Sequence, residues 1–241
     1  MSYLNTKPLV YGFEHGEMET ELELVMDYPA NIAKMLLEGQ IDLGLVPVAV
    51  LPRMKTYHII SDYCIGADGP VGSVCLFSQV PMNEIETVLL DYQSRTSVAL
   101  VQLLLREFWK KEVVFEAVTG AFEHRVEGRT AALVIGDRAF NMIHQSRYVF
   151  DLGEAWKLHT GMPFVFAVWA ANVEPDDQFV KQFNAANGVG FSHLPEIIKK
   201  ANVPTHYPDL HHYFTQNIRY TFGAPQKQAM EYFLEQISKN S

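Results

Sequence analysis

Cysteine is scarce in this chain of 241 residues: only Cys64 and Cys75 occur, eleven positions apart, a spacing that fits neither a zinc site nor a redox pair. They read as small buried apolar residues rather than a disulfide. Positive charge is also in deficit, with 19 Lys and Arg against 28 Asp and Glu and a formal net charge of −9. That balance speaks against a nucleic-acid partner, which needs a basic face. Any anionic ligand must then be held by local donors against an unfavourable overall field. Apolar runs are broken by Gly, Pro or charge within about ten residues, too short for a membrane span, and no basic-then-apolar leader opens the chain. The expectation is a cytoplasmic protein with no membrane partner. Nine histidines are present, but no pair has the i, i+4 spacing of a helical zinc site, so no metal is expected. A Gly-rich phosphate loop, a dinucleotide fingerprint and a serine elbow are likewise missing, and no nucleotide or other cofactor is expected.

What is there begins at the first residues. Ser2-Tyr3-Leu4-Asn5-Thr6-Lys7-Pro8-Leu9 concentrates a hydroxyl, a phenol, an amide and an ammonium ahead of a proline expected to interrupt any strand or helix. Such a start is either a frayed end or a loop that carries Asn5 into a ligand cleft. Leu22–Met26 reads as a strand, residues 30–38 as a helix ended by Gly39, and residues 41–47 as a buried strand, together a parallel crossover unit. The same alternation returns after the Gly66–Pro70 break, with strands over 73–78, 87–91, 113–115, 132–135, 148–150 and 164–171 and helices over 98–111 and 138–144. From Pro175 onward only helical patterns are seen. The pattern predicts an α/β protein of two lobes, each a mixed, mostly parallel sheet flanked by helices, with a ligand cleft between them. Residues 1–71 and 172–241 are expected to form the first lobe and 72–171 an inserted second, with strands 73–78 and 164–171 as paired crossings.

Several short groups could carry chemistry. Ser94-Arg95-Thr96-Ser97 opens a helix, where hydroxyls, free N–H groups and Arg95 either form a carboxylate or phosphate site or simply cap the helix. Gly136-Asp137 falls at the carboxyl end of a buried strand, where open α/β sheets place ligands, and Asp137 is either a general acid or base or an N-cap. Ser73 starts one crossing strand, and Thr160-Gly161-Met162-Pro163 precedes the other as a ligand-facing backbone or a plain turn.

In their order and spacing these pieces resemble the chorismate dehydratase family of the futalosine route to menaquinone. The opening stretch looks like that family's signature, and residues 37–47, 69–74, 94–97, 135–139 and 160–169 follow in register over essentially the whole chain. The resemblance implies the two-lobed type II periplasmic-binding-protein-like fold and a cofactor-free lyase reaction. Chorismate, a small dicarboxylate, would be dehydrated to 3-[(1-carboxyvinyl)oxy]benzoate by a monomer or homodimer. It implies Asn5 and Ser73 as catalytic residues, with Tyr3, Ser94, Arg95, Thr96, Ser97, Gly136, Asp137, Met162 and Pro163 around the substrate. The general base is either the substrate's own enolpyruvyl carboxylate or Asp137. Two alternatives stand beside it: a non-catalytic binding protein for a small anion, and the related dihydroxynaphthoate synthase. Relatives carry a short strand ahead of the serine-tyrosine pair, which here follows Met1 directly; the expectation is a start further upstream or compensation elsewhere.

Overall fold

The computed structural model describes residues 3–19, 22–201, 203–204 and 207–239. Ser2 of the opening motif therefore lies outside the described residues. Tyr3 leads through a single 3-10 turn, Leu4–Thr6, into α1 (Lys7–Glu14). Pro8 does not break this helix, contrary to the sequence expectation. It sits in the first turn, where a missing N–H removes no helical hydrogen bond.

α2 (Pro29–Leu37) precedes β1 (Leu43–Pro47), and a 3-10 stretch leads to β2 (His58–Ala67). The chain then crosses to a second sheet: β3 (Val74–Ser78), β4 (Thr87–Asp91), α3 (Arg95–Glu107), β5 (Val114–Val118), β6 (Thr130–Ile135), α4 (Asp137–Ile143), β7 (Tyr148–Asp151) and α5 (Leu152–Thr160). It returns through β8 (Phe164–Ala171), α6 (Asp177–Ser192), α7 (Leu194–Ala201), α8 (Leu210–His212), a π-helical turn at Tyr213–Asn217, β9 (Arg219–Thr221) and α9 (Ala224–Ser238).

Two sheets flanked by helices result, in the orders β1-β8-β2-β9 and β5-β4-β6-β3-β7. The two-lobe α/β reading holds; its mostly parallel sheets do not. In the first sheet every ladder is antiparallel. β1 and β2 run the same way, but β8 returns from the second sheet and lies between them. In the second sheet β4 pairs in parallel with β5 and β6, while β3 is antiparallel to β6 and β7.

Residues 73–78 and 164–171 are not paired with each other: β3 belongs to the second sheet and β8 to the first. The second crossing therefore precedes Phe164, at the turn marked by left-handed Gly161, instead of following Ala171. Leu22–Met26 forms no regular element and pairs with no strand among the described residues, and β1 carries a described partner only on its β8 side.

The layer beneath the first sheet fixes where the opening segment lies. α1 and α6 approach so closely that a Cβ on Gly12 would stand 2.2 Å from the Ala186 carbonyl oxygen, and one on Gly190 would stand 2.0 Å from that of Pro8. Leu9, Val10 and Tyr11 are buried in this contact. Burial of those side chains anchors the start of α1.

Candidate active site

Between the sheets lies a cavity of about 760 Å³, within the usual range for small-molecule sites of about 300–1,000 Å³. Tyr3, Asn5, Ser94, Ser97, Gly136 and Phe166 are among the residues lining it. Among the described residues that line it there is no lysine or arginine. An anion here must be held by N–H groups and hydroxyls.

The start of α3 supplies them. Ser94 is the N-cap, its Oγ accepting from the Ser97 N–H at 3.1 Å while its own hydroxyl donates to Ser97 Oγ at 2.9 Å. The capping reading of this turn is met, and Ser94 and Ser97 also line the cavity. Thr96 is fully buried and serves elsewhere, accepting from the Ala49 N–H at 3.2 Å. Arg95 is exposed and is not among the lining residues.

Across the cavity the opening segment meets the second lobe. Gly136 has φ 65° and ψ −152°, a conformation open essentially only to glycine, and the Tyr3 ring occupies the space its side chain would need. The Tyr3 hydroxyl donates to Gln93 Oε1. Burial, reinforced by the Asp91 carboxylate, pushes the Tyr3 phenol well above its ordinary value, so it stays protonated and a donor. The Leu4 N–H donates to the Asp137 carboxylate at 3.0 and 3.3 Å.

Asp137 opens α4 but makes no side-chain cap there. Burial raises its pKa, while the Leu4 N–H and Lys7 pull it down. It holds the opening segment and is not among the lining residues.

Gln93 in turn is held by Asp91. That buried carboxylate accepts from the Gln93 N–H at 3.0 Å, from the Ile135 N–H at 3.1 Å and from the Arg138 guanidinium, which also pairs with Glu123 at 3.1 Å. Sequence reasoning missed this group. Its only signal was position, as Asp91 and Gln93 stand at the carboxyl end of a buried strand.

Asn5 lines the cavity, and its backbone carbonyl accepts from the Tyr220 hydroxyl at 2.9 Å. Its side-chain Oδ1 is buried and has no hydrogen-bond partner among the described residues. Ser73 is fully buried beneath Tyr213, whose hydroxyl donates to Ser73 Oγ at 2.8 Å, and it does not line the cavity.

Met162 and Pro163 are not brought to the cavity. The Met162 N–H donates to Thr160 Oγ1 at 3.1 Å, and the Pro163 carbonyl accepts from Trp156 Nε1 at 3.0 Å, so this segment closes α5 as a turn. Cys64 and Cys75 are free and buried, and burial pushes the Cys64 thiol up to about 12. No described helix is long and apolar enough to cross a membrane.

Three comparisons bear on this site. A chorismate dehydratase from Thermus thermophilus is 29% identical over 257 aligned residues, covering 98% of this chain and 92% of that protein. Among solved structures, a protein from Archaeoglobus fulgidus superposes with a TM-score of 0.69 at 13% identity, covering 99% of this chain and 94% of the other. The periplasmic aliphatic sulphonate binding protein of Escherichia coli gives 0.63 at 14% identity, covering 98% and 90%. At these identities the two structures show the fold alone, a periplasmic-binding-protein-like one. The model of the menaquinone biosynthesis family matches residues 1–239, and with the opening segment, the α3 start and the Gly136 turn all on one cavity, the chain belongs to that family.

Proposed function

We propose that this protein is a chorismate dehydratase, a lyase converting chorismate to 3-[(1-carboxyvinyl)oxy]benzoate and water in menaquinone biosynthesis. The observation that carries the reading is the Asn5 side chain. Its Oδ1 is buried and lacks a hydrogen-bond partner among the described residues, which is costly, and Asn5 lines the same cavity as the start of α3. The Thermus relative is a dehydratase of the named substrate, and the family is that of menaquinone biosynthesis.

Dehydration of chorismate breaks the C4–O bond and the C3–H bond, and the electron pair from C3–H completes the aromatic ring. Aromatisation drives the step, so the protein must chiefly hold geometry and exclude competing rearrangements. In this reading the ring carboxylate sits at the α3 N-terminus, with free N–H groups and the Ser97 hydroxyl as donors, the Ser94 hydroxyl being directed to Ser97 Oγ. Arg95, outside the cavity lining, makes no contact in this arrangement. Asn5 orients the reacting region, and the substrate's enolpyruvyl carboxylate takes the C3 proton. The engagement of Asp137 with the Leu4 N–H supports this choice of base over Asp137.

The test is to incubate the protein with chorismate and follow the product by mass and aromatic absorbance. Product formed well above spontaneous decay, and lost in Asn5→Ala, supports the reading. Tight binding of chorismate without turnover would instead indicate a binding protein.

A further inference from the structure

Tyr3 is a first-lobe residue seated in the second lobe, and the two pieces of its seat come from neighbouring strands. β4 and β6 run side by side in parallel. The Tyr3 ring rests on Gly136, just past the end of β6, where a Cβ would stand 2.3 Å from ring carbons. The Tyr3 hydroxyl donates to Oε1 of Gln93, in the turn that follows β4.

Asp91 locks the two pieces together. Its side chain is fully buried, with one oxygen accepting from the Gln93 N–H at 3.0 Å and the other from the Ile135 N–H at 3.1 Å, next to Gly136. The Arg138 guanidinium pairs with the same carboxylate and lies over the Tyr92 and Phe122 rings at 5.8 and 5.7 Å. Gln93 is itself buried, and its Nε2 donates to the Tyr92 hydroxyl at 2.7 Å. With its backbone and both ends of its amide engaged, Gln93 is a fixed partner for Tyr3.

A phenol has one proton to give. Tyr3 gives it to Gln93, which is not among the residues lining the cavity, although Tyr3 is. Any ligand must compete with a buried amide for that proton.

We propose that Gln93 is a positioning residue for Tyr3: by taking the phenol proton it holds the ring on Gly136 as a wall of the cavity, and it withdraws Tyr3 from acid–base chemistry. Resting on the dehydratase reading, Tyr3 gives the site its shape and does not protonate the departing C4 hydroxyl. The same bond stands beside that from the Leu4 N–H to Asp137, so the segment carrying Asn5 is tied to the second lobe at two points.

A double-mutant cycle tests this. Gln93→Met keeps the length of the side chain and removes the acceptor, while Tyr3→Phe keeps the ring and removes the donor. Each single change is expected to lower kcat/KM for chorismate about tenfold, and the pair together no more than either alone, because both break one bond. The alkaline limb of the kcat profile stays in place in Tyr3→Phe, since no step uses its proton. Independently of substrate, the backbone amide NMR resonance of Gly136 reports the ring packed on it. It moves in Gln93→Met and in Tyr3→Phe toward its position in Tyr3→Leu. Multiplied losses near a hundredfold, an alkaline limb lost in Tyr3→Phe, or an unmoved Gly136 resonance overturns the proposal. Should Gln93→Met not fold, the profile and the resonance of Tyr3→Phe carry the test. Absence of turnover in the parent overturns the dehydratase reading alone, since the resonance needs no substrate.

Discussion

The ring of Tyr3 lies where a side chain on Gly136 would have to be: a Cβ built there stands 2.3 Å from ring carbons of Tyr3. Tyr3 belongs to the first lobe and Gly136 to the second, so this contact joins the two walls of the cavity. Gly136→Ala would both strain the backbone, by about 1–3 kcal/mol, and displace the ring. The expected outcome is a lower melting temperature together with a loss of kcat/KM of about a hundredfold, read from thermal unfolding and chorismate assays. Parent-like values in both would show that the ring does not depend on the glycine.

Asn5→Ala removes a cavity-lining amide whose buried Oδ1 has no partner among the described residues, without touching the Tyr220 bond to the Asn5 carbonyl. Turnover is expected to fall far more than product affinity, which titration of the product against the variant measures.

Ser94→Ala takes away the cap of α3 and a side chain that lines the cavity. A loss of about 1 kcal/mol in stability is expected from the cap. Weaker product binding should accompany it, and a stability loss without any change in binding would assign the turn to capping alone.

Asp137 gives a pH prediction. Its folded-state pKa is raised, chiefly by burial, so the folded protein holds this proton at pH values where the unfolded chain has released it. Its contribution to stability therefore declines as pH rises from the ordinary carboxyl value of about 4 through the raised one. Asp137→Asn keeps an acceptor for the Leu4 N–H and removes the titration. The difference in melting temperature, variant minus parent, should grow more positive with pH across that window and then level off. A flat difference would contradict the burial of this carboxyl.

Gly190→Ala tests how the opening segment is anchored. The added methyl meets the Pro8 carbonyl oxygen at 2.0 Å, and backbone cannot yield as a side chain can. Forcing α1 off α6 is expected to cost about 1–3 kcal/mol, roughly 2–4 °C per kcal/mol in a chain of this size. Turnover should fall with it, because Asn5 rides on the same segment.

Several of these relationships were legible in the chain as letters. The Ser94–Ser97 helix start was readable from its hydroxyls, and Gly136-Asp137 from its place after a buried strand. The β2 strand was not: Ser61, Asp62 and Tyr63 interrupt its apolar alternation, and its ladder with β8 shifts register between Ile59 and Cys64. β9 has three residues, too few for any period to appear. Leu22–Met26 has the composition of a strand, yet a strand exists only where a neighbour pairs with it.

The sequence by itself determined that this is a two-lobed α/β protein, because local spacing of apolar residues specifies strands and helices one at a time. It also determined the family, because short motifs in fixed order survive where overall identity is low. Tertiary structure alone decided which motif residues reach the cavity and which are engaged elsewhere. Ser73 and Asp137 were candidates by type and position, yet one is sealed under Tyr213 and the other is taken up by the Leu4 N–H. Tyr213, 140 positions beyond Ser73, had no local signal at all. Whether a polar group is free to act depends on its neighbours in space, and those come from segments whose separation along the chain carries no trace of their contact.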